Sequence, residues 1–134
     1  DRSPSRGLGD VYKRQDGGTR TASITGAWVA LAMALEGLFP KGTSPLHSQV
    51  AAISVGLSND QIFLDLDYLE DSAADVDFNL VMLNSGHLVE VQGTAESKPF
   101  EIEQMNNMIA LASKGISDLF KIQNESLVDW KNKI

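Results

Sequence analysis

The chain has 134 residues, of which 43% are hydrophobic and 22% are charged, as in an ordinary globular domain. This length allows one domain with a sizeable core and makes two domains an unexpected outcome. There is no cysteine, which excludes disulfides, thiolate metal sites and a cysteine nucleophile, and which fits a reducing compartment such as the cytoplasm. No apolar run approaches the roughly 20 residues of a membrane-spanning helix, so no membrane partner is predicted.

Residues 1–15 differ in charge from the rest of the chain. They carry four basic and two acidic side chains, whereas residues 16–134 carry seven basic and sixteen acidic ones, a net charge of −9. Such an acidic surface repels nucleic acid unless a basic patch comes from elsewhere. The string PSRGLGDVYKRQ within residues 1–15 lacks helical or strand periodicity, as a disordered basic tail does. It also looks like the in-frame translation of a transposase adapter, so we expect a non-native segment and a native sequence that begins near Asp16.

The first predicted element after this segment is an amphipathic helix. Apolar residues recur at steps of three and four from Ile24 to Leu38, which predicts a helix from about Thr21 to Phe39 that ends at Pro40. Alternation of apolar and polar residues then predicts four strands, which lie at Gln49–Leu57, Ile62–Tyr68, Asp77–Leu83 and His87–Gly93.

The last predicted element is a second helix. Helical spacing from Met105 to Leu119 indicates it, with an interruption at Gly115 and a weaker or frayed end over residues 123–134. The order of elements predicts an α+β fold, in which helices pack on one mixed, mainly antiparallel sheet whose strands form a meander.

The first candidate site is the glycine-rich segment Asp16–Thr21 at the start of the first helix. Glycines let backbone amides approach an oxyanion, and the helix start offers unpaired N–H groups and a favourable dipole. Thr19 adds a hydroxyl donor, and Arg20 can grip a phosphate with two parallel hydrogen bonds. The same residues also fit a capped helix start with one exposed arginine, because two glycines before a helix are a weak signal.

The second candidate site is a run of acidic residues around the second and third strands. Alternation along a strand would place Asp65 and Asp67 on one face, while Asp71 and Asp77 flank the crossing into the next strand. Converging carboxylates repel one another unless a cation holds them, and Mg²⁺ is the usual cation in phosphoryl chemistry. A solvated acidic loop is the alternative explanation.

Three long motifs resemble signatures of ribonuclease PH in order and separation. They are DGGTRTASITGA (residues 16–27), LDYLEDSAADVDFN (residues 66–79) and VEVQGTAE (residues 89–96). The similarity extends from Asp16 to about Gln123 and matches the C-terminal half, or slightly more, of that enzyme. It implies that residues 16–134 are the C-terminal part of a single ribonuclease PH domain, with the fold of ribosomal protein S5 domain 2. Phe78 departs from the pattern, because the family usually has methionine there.

The resemblance implies a phosphorolytic 3′→5′ exoribonuclease that trims precursor tRNA with inorganic phosphate and releases nucleoside diphosphates. It implies that Gly18, Thr19 and Arg20 bind phosphate, and that Asp71 and Asp77 support catalysis and hold Mg²⁺. The family forms a homo-oligomer, typically a hexameric ring of dimers. The family's N-terminal half, with its basic RNA contacts and a further phosphate-binding arginine, is not represented in this sequence, so we expect the chain alone to be inactive. The alternative is a catalytically silent or exosome- or polynucleotide phosphorylase-type ring subunit that binds RNA.

Overall fold

The computed structural model describes residues 18–134, apart from the side chains of Tyr68, Glu70 and Asp71. The predicted adapter-like segment, residues 1–15, therefore lies outside the described residues and stays a prediction. The described part consists of three helices and four strands. In chain order they are α1 (Thr19–Leu35), β1 (Val50–Ser58), β2 (Gln61–Leu64), α2 (Tyr68–Ala73), β3 (Val76–Leu83), β4 (Leu88–Ala95) and α3 (Ile102–Lys133).

The four strands form one sheet in the order β2-β1-β3-β4, and every neighbouring pair is antiparallel. The predicted α+β class is confirmed, but the meander is wrong, because β1 lies between β2 and β3. The chain leaves β2 at the sheet edge, crosses over β1 through α2, and returns as β3 on the other side. Asp65, which follows β2, has a left-handed backbone (φ 57°) that ends the strand, and the next residue, Leu66, is buried.

One face of the sheet, which we call the packing face, forms the hydrophobic core with α3. Strand side chains of β1 and β3 meet three buried side chains of the helix, Met108, Ala112 and Ile116. Gly115 lets this helix approach closely, because a Cβ there would lie 2.8 Å from Ile53 Cδ1 and 2.8 Å from Leu64 Cδ2. The strand residues of the packing face that are buried are Ala51, Ile53, Val55, Leu57, Val76, Phe78, Leu80 and Met82.

Phe78 fits this core because its neighbour on β4 has no side chain. Gly93 is its register partner, and a Cβ on that glycine would lie 2.9 Å from Phe78 Cδ2. The phenyl ring is fully buried and occupies the space over the glycine. The departure from the methionine typical of ribonuclease PH is therefore accommodated by the local packing.

Helix α1 lies along the part of β1 that β2 is too short to pair. Strand β2 pairs only with Val55–Ser58, so the outer edge of β1 before Val55 needs other partners. Thr25 Oγ1 accepts a hydrogen bond from Ala52 N at 3.1 Å, and Gln123 Nε2 of α3 donates to Val50 O and to Thr25 O at 3.0 Å each. The buried Gln123 thereby joins α1, β1 and α3.

Several predicted boundaries are wrong for reasons of tertiary structure. Helix α1 ends at Leu35 rather than Phe39, and the second strand ends at Leu64 rather than Tyr68, which begins α2. Helix α3 is continuous through Lys133, so of the two alternatives predicted for residues 123–134, a weaker helix or a frayed end, the helix is confirmed, and Gln123 is buried against β1. Among residues 18–134, no helix is both long and apolar enough to cross a membrane.

Candidate phosphate and metal site

The face of the sheet opposite α3, which we call the polar face, carries the candidate functional groups. The strand register places Ser54 of β1 beside Asn79 of β3, and Asn79 beside Gln92 of β4. Two residues further along, Gly56 lies beside Asp77, and Asp77 beside Thr94. Because side chains alternate along a strand, these residues share one face. The polar face therefore carries Ser54, Gly56, Asp77, Asn79, Glu90, Gln92 and Thr94, together with the buried apolar residues Ala52 and Val81.

The N-terminus of α1 meets the polar face at Ser54. Gly18 is the N-cap residue, it has a left-handed backbone (φ 69°), and no side chain caps the helix. A Cβ on Gly18 would lie 3.2 Å from Ser54 Oγ and 3.7 Å from Asp65 Oδ1. Gly18 therefore precedes a 17-residue helix that begins with Thr19 and Arg20 at the surface where the polar strand residues lie, two residues before the predicted start at Thr21. This is the arrangement that the glycine-rich motif predicted for oxyanion binding.

The guanidinium of Arg20 lies over the polar face and pairs with Glu90 of β4. Arg20 Nη2 donates to Glu90 Oε1 at 2.8 Å and to Oε2 at 2.5 Å. The arginine side chain is 47% exposed and the glutamate side chain 33%, so water screens this ion pair and it contributes little to stability. Sequence reasoning missed Glu90 as a site residue. It lies in the motif VEVQGTAE, but its partner is 70 residues away, and no local pattern indicates that contact.

Asp77 lies on the polar face, next to the segment that carries Asp71. Asp77 is the register partner of Gly56, and a Cβ on Gly56 would lie 2.6 Å from Leu66 Cδ1 and 3.3 Å from Ala74 Cβ. Leu66 and Ala74 flank α2, so the backbone of this helix passes over β1 beside Asp77. The side chain of Asp71 lies outside the described part, and its role beside Asp77 stays a prediction.

The predicted pairing of Asp65 and Asp67 on one strand face is wrong. The strand ends at Leu64, and the left-handed backbone of Asp65 separates it from any extended alternation. Asp65 N donates to Ser54 O at 2.8 Å, which holds its carboxylate near the start of α1 instead. Asp65 thus belongs to the glycine-rich site rather than to the acidic run.

The predicted Mg²⁺ site rests on oxygen donors. Within the described side chains, no three histidine, cysteine, aspartate or glutamate residues come together in a way that would hold a metal ion. Asp77 has the amide side chains of Asn79 and Gln92 beside it on the polar face, and carboxylate and amide oxygens are donors that Mg²⁺ accepts when water and substrate phosphates complete its shell. Mg²⁺ at Asp71 and Asp77 stays a prediction, because the side chain of Asp71 lies outside the described part.

A cavity of about 430 Å³ lies between α1 and α3. Its wall includes Thr21, Thr25 and Asp65 together with apolar residues such as Val29 and Ile122. It does not include Arg20 or Asp77, so it adjoins the candidate site without containing it.

Comparison with known families identifies the domain. The model of the "3′ exoribonuclease family, domain 2" matches residues 48–115, just over half of the chain. The chain belongs to the 3′ exoribonuclease family. The match begins before β1 and ends within α3, so it covers the whole sheet, including Asp77. The resemblance to the C-terminal part of ribonuclease PH is thereby confirmed.

A solved structure shows the same fold. The crystal structure of rice (Oryza sativa) Rrp46 is similar with a TM-score of 0.64 over 84% of this chain, at 20% sequence identity. The aligned region spans 49% of the rice Rrp46 chain, so the present chain covers about half the length of Rrp46. At this level of identity the likeness concerns the fold, and the chemistry must be argued from the residues of the site.

Proposed function

We propose that this domain serves in a phosphorolytic 3′→5′ exoribonuclease that trims the 3′ ends of precursor tRNA. The observation that supports it is the convergence of the N-terminus of α1, with Gly18, Thr19 and Arg20, on the sheet face that carries Asp77. Phosphorolysis needs both an anion-binding group and a carboxylate. In this proposal the start of α1 with Arg20 is the anion-binding group, and Asp77 is the carboxylate. Inorganic phosphate must be held against its own charge, and the scissile phosphodiester must be neutralised.

In the proposed reaction, an oxygen of inorganic phosphate attacks the phosphorus of the terminal phosphodiester. A new P–O bond forms while the bond from that phosphorus to the 3′ oxygen of the preceding nucleotide breaks. The 3′ oxygen takes up a proton, and the terminal nucleotide leaves as a nucleoside diphosphate. The helix start and Arg20 position the attacking phosphate. Mg²⁺ held by Asp71 and Asp77 would stabilise the charge on the reacting phosphoryl group and the leaving oxygen.

The negative net charge of residues 16–134 affects how RNA could bind in this proposal. A net charge of −9 repels RNA, so the basic RNA contacts must come from outside these residues. We propose that they come from the other part of a ribonuclease PH subunit and from neighbouring subunits in a homohexameric ring of dimers in the cytoplasm. The chain alone is accordingly expected to be inactive on precursor tRNA.

The test joins this domain to the N-terminal part of a ribonuclease PH and measures phosphate-dependent release of nucleoside diphosphates from a precursor tRNA. Asp77→Asn is expected to abolish release and to leave RNA binding intact, because the amide keeps the shape but loses the charge. Asp118→Asn, an exposed aspartate on α3, is the control and should keep full activity. Unchanged turnover in Asp77→Asn would contradict the assignment.

A second candidate function is a catalytically silent RNA-binding ring subunit, and the Arg20–Glu90 ion pair favours it. In this pair Arg20 Nη2 donates to both carboxylate oxygens of Glu90 rather than to a phosphate. Glu90→Gln discriminates between the two functions, with inorganic phosphate binding measured by calorimetry. If the site binds phosphate, removal of the competing charge should raise the affinity severalfold. If neither the parent chain nor Glu90→Gln binds phosphate, the silent subunit is favoured.

A further inference from the structure

Gly56 is a glycine within β1, at a position where a side chain would ordinarily be favoured. Its φ lies outside the left-handed region, so the backbone conformation does not require glycine there. Glycine in the interior of a strand lowers stability, and it often marks a place where another segment of the chain approaches closely. The reason for Gly56 is therefore space rather than backbone conformation.

The segment that crosses from β2 to β3, residues 65–75, is fixed to β1 on both sides of this glycine, and we call it the crossover. At its start, Asp65 N donates to Ser54 O at 2.8 Å. At its end, Asp75 N donates to Leu57 O, also at 2.8 Å. Helix α2 lies between these two hydrogen bonds, so the crossover passes over the glycine with both ends held.

Two buried side chains of the crossover meet over Gly56. A Cβ on Gly56 would lie 2.6 Å from Leu66 Cδ1 and 3.3 Å from Ala74 Cβ. The δ carbons of Leu66 can turn toward an adjoining cavity of about 190 Å³, whereas Ala74 Cβ moves only with its backbone. The described side chains of α2 itself are exposed and do not hold the helix on the sheet. The height of α2 above the sheet is therefore set at Gly56.

This height matters because α2 carries Asp71. Asp77 is the register partner of Gly56 on β3, so α2 lies over the strand next to Asp77, and neighbouring strands are about 4.8 Å apart. A side chain at position 56 would lift α2 from the sheet and move it away from Asp77. The start of α1 should be affected less, because Gly18 approaches β1 at Ser54 instead.

We propose that Gly56 is a positioning residue, which lets the crossover lie close enough to β1 to bring Asp71 beside Asp77. This rests on the proposed function, in which the two aspartates act together, and adds the feature of the sheet that allows it. A misplacement of about 1 Å in a catalytic arrangement can lower a rate about a hundredfold. The fit of Leu66 and Ala74 over Gly56 is thus expected to control the rate of the chemical step.

The activity test uses this domain joined to the N-terminal part of a ribonuclease PH, with rates measured over a range of phosphate concentrations. Gly56→Ala is expected to lower kcat about tenfold and Gly56→Val about a hundredfold, with the KM for phosphate changed less than about threefold. Gly115→Ala is the matched control, because a Cβ there is also crowded, at 2.8 Å from Ile53 Cδ1, but faces the hydrophobic core. It should lower the melting temperature and keep the kcat of the parent.

The position of the crossover is tested in the chain itself by hydrogen exchange. In both Gly56 variants the amide hydrogens of Asp65 and Asp75 should exchange about tenfold faster than in the parent, because lifting the crossover weakens their hydrogen bonds to β1. Leu66→Val shortens the crowded side chain, so its combination with Gly56→Ala should slow this exchange again. In the joined protein the combination should regain most of the lost kcat, whereas two independent losses of packing would add.

The outcomes separate this inference from the proposed function. If Asp77→Asn abolishes activity while both Gly56 variants keep the kcat of the parent, the positioning role is wrong and the proposed function stands. If Gly56→Ala and Gly115→Ala lower kcat equally, or if Leu66→Val worsens the effect of Gly56→Ala, the effect is one of general stability and the inference is overturned. If the joined protein releases no nucleoside diphosphates, the proposed function fails and the inference fails with it.

Discussion

The two faces of this sheet are made by the same strands, but one packs in the hydrophobic core and the other carries the polar residues of the candidate site. On the packing face, side chains such as Phe78 and Leu80 are fully buried and pack against α3. On the polar face, the neighbouring residues Asp77 and Asn79 are half-buried, and Asn79 is the register partner of Ser54, which contacts Gly18 at the start of α1. Successive strand residues alternate between the faces. A residue that stabilises the core is therefore followed in the chain by a residue of the candidate site.

The polar face contains features that lower stability. Ser54 has an unpaired buried hydroxyl, α1 starts at Gly18 without a side-chain cap, and Asp65 has a left-handed backbone. Each is unfavourable, and all three lie within a few ångströms of the Cβ position of Gly18. The packing face has no comparable feature among the described residues. Unfavourable features of this kind collect at functional sites, and their concentration on one face supports the proposal of a site there.

The largest expected effect is a difference in stability between substitutions at Phe78 and at its neighbour Asp77. Phe78→Ala empties the space between Gly93 and the core and should lower the free energy of unfolding by about 3–5 kcal/mol. Asp77→Asn should lower it much less, because it keeps the shape of a half-buried side chain. Urea denaturation of both variants measures the difference, and similar losses in the two would contradict the division between faces.

The next effect concerns Gln123, which joins the packing face to α1. Gln123→Leu removes the donors of two hydrogen bonds of 3.0 Å, to Thr25 O and Val50 O, in a place that water does not reach. We expect a loss of about 2 kcal/mol in the free energy of unfolding. Asn107→Leu, at an exposed position of α3, is the control, and it should change stability by less than about 0.5 kcal/mol.

Two helical glycines give effects of opposite sign. A Cβ on Gly115 of α3 would lie 2.8 Å from both Ile53 Cδ1 and Leu64 Cδ2, so Gly115→Ala should destabilise by about 1 kcal/mol despite its higher helix propensity. A Cβ on Gly26 of α1 meets nothing within 4 Å, so Gly26→Ala should stabilise by about 0.5–1 kcal/mol. Thermal melting of the two variants distinguishes these signs, and a gain at Gly115 would show that the helix does not need this close approach.

The smallest expected effect is the contribution of Asp75, at the end of the sheet, to stability at neutral pH. The hydrogen bond of 2.6 Å from Ser97 Oγ, followed by that of 3.2 Å from Asn59 N, holds the pKa of the Asp75 carboxyl below its ordinary value. A lowered pKa in the folded state stabilises the fold above the ordinary carboxyl pKa, and this contribution is lost as the pH falls through the lowered value.

Ser97→Ala tests this contribution through the pH dependence of melting. The variant should melt slightly below the parent at neutral pH, and the difference should vanish in acid, where Asp75 is protonated in both proteins. A difference that persists unchanged into acid would assign the effect to packing rather than to the charge of Asp75.

The sequence by itself determined the elements, the α+β class and the family. Apolar alternation located the four strands to within a few residues, and turn residues such as Asn84 and Gly86 located the hairpin between β3 and β4. The apolar spacing predicted a helix start at about Thr21, within two residues of its observed start at Thr19, and the motif around Asp77 indicated ribonuclease PH. These signals are local, because they depend on backbone preferences and on short-range periodicity.

The tertiary structure alone decided the order of the strands and the partners of the site. The crossing from β2 to β3 depends on the short pairing of β2 and the turn at Asp65, and apolar alternation continued past that turn to Tyr68. The ion pair of Arg20 with Glu90 and the approach of Gly18 to Ser54 join segments far apart in the chain. Contacts of this kind follow from how helices and sheet pack, and the residues on either side carry no local pattern that indicates them.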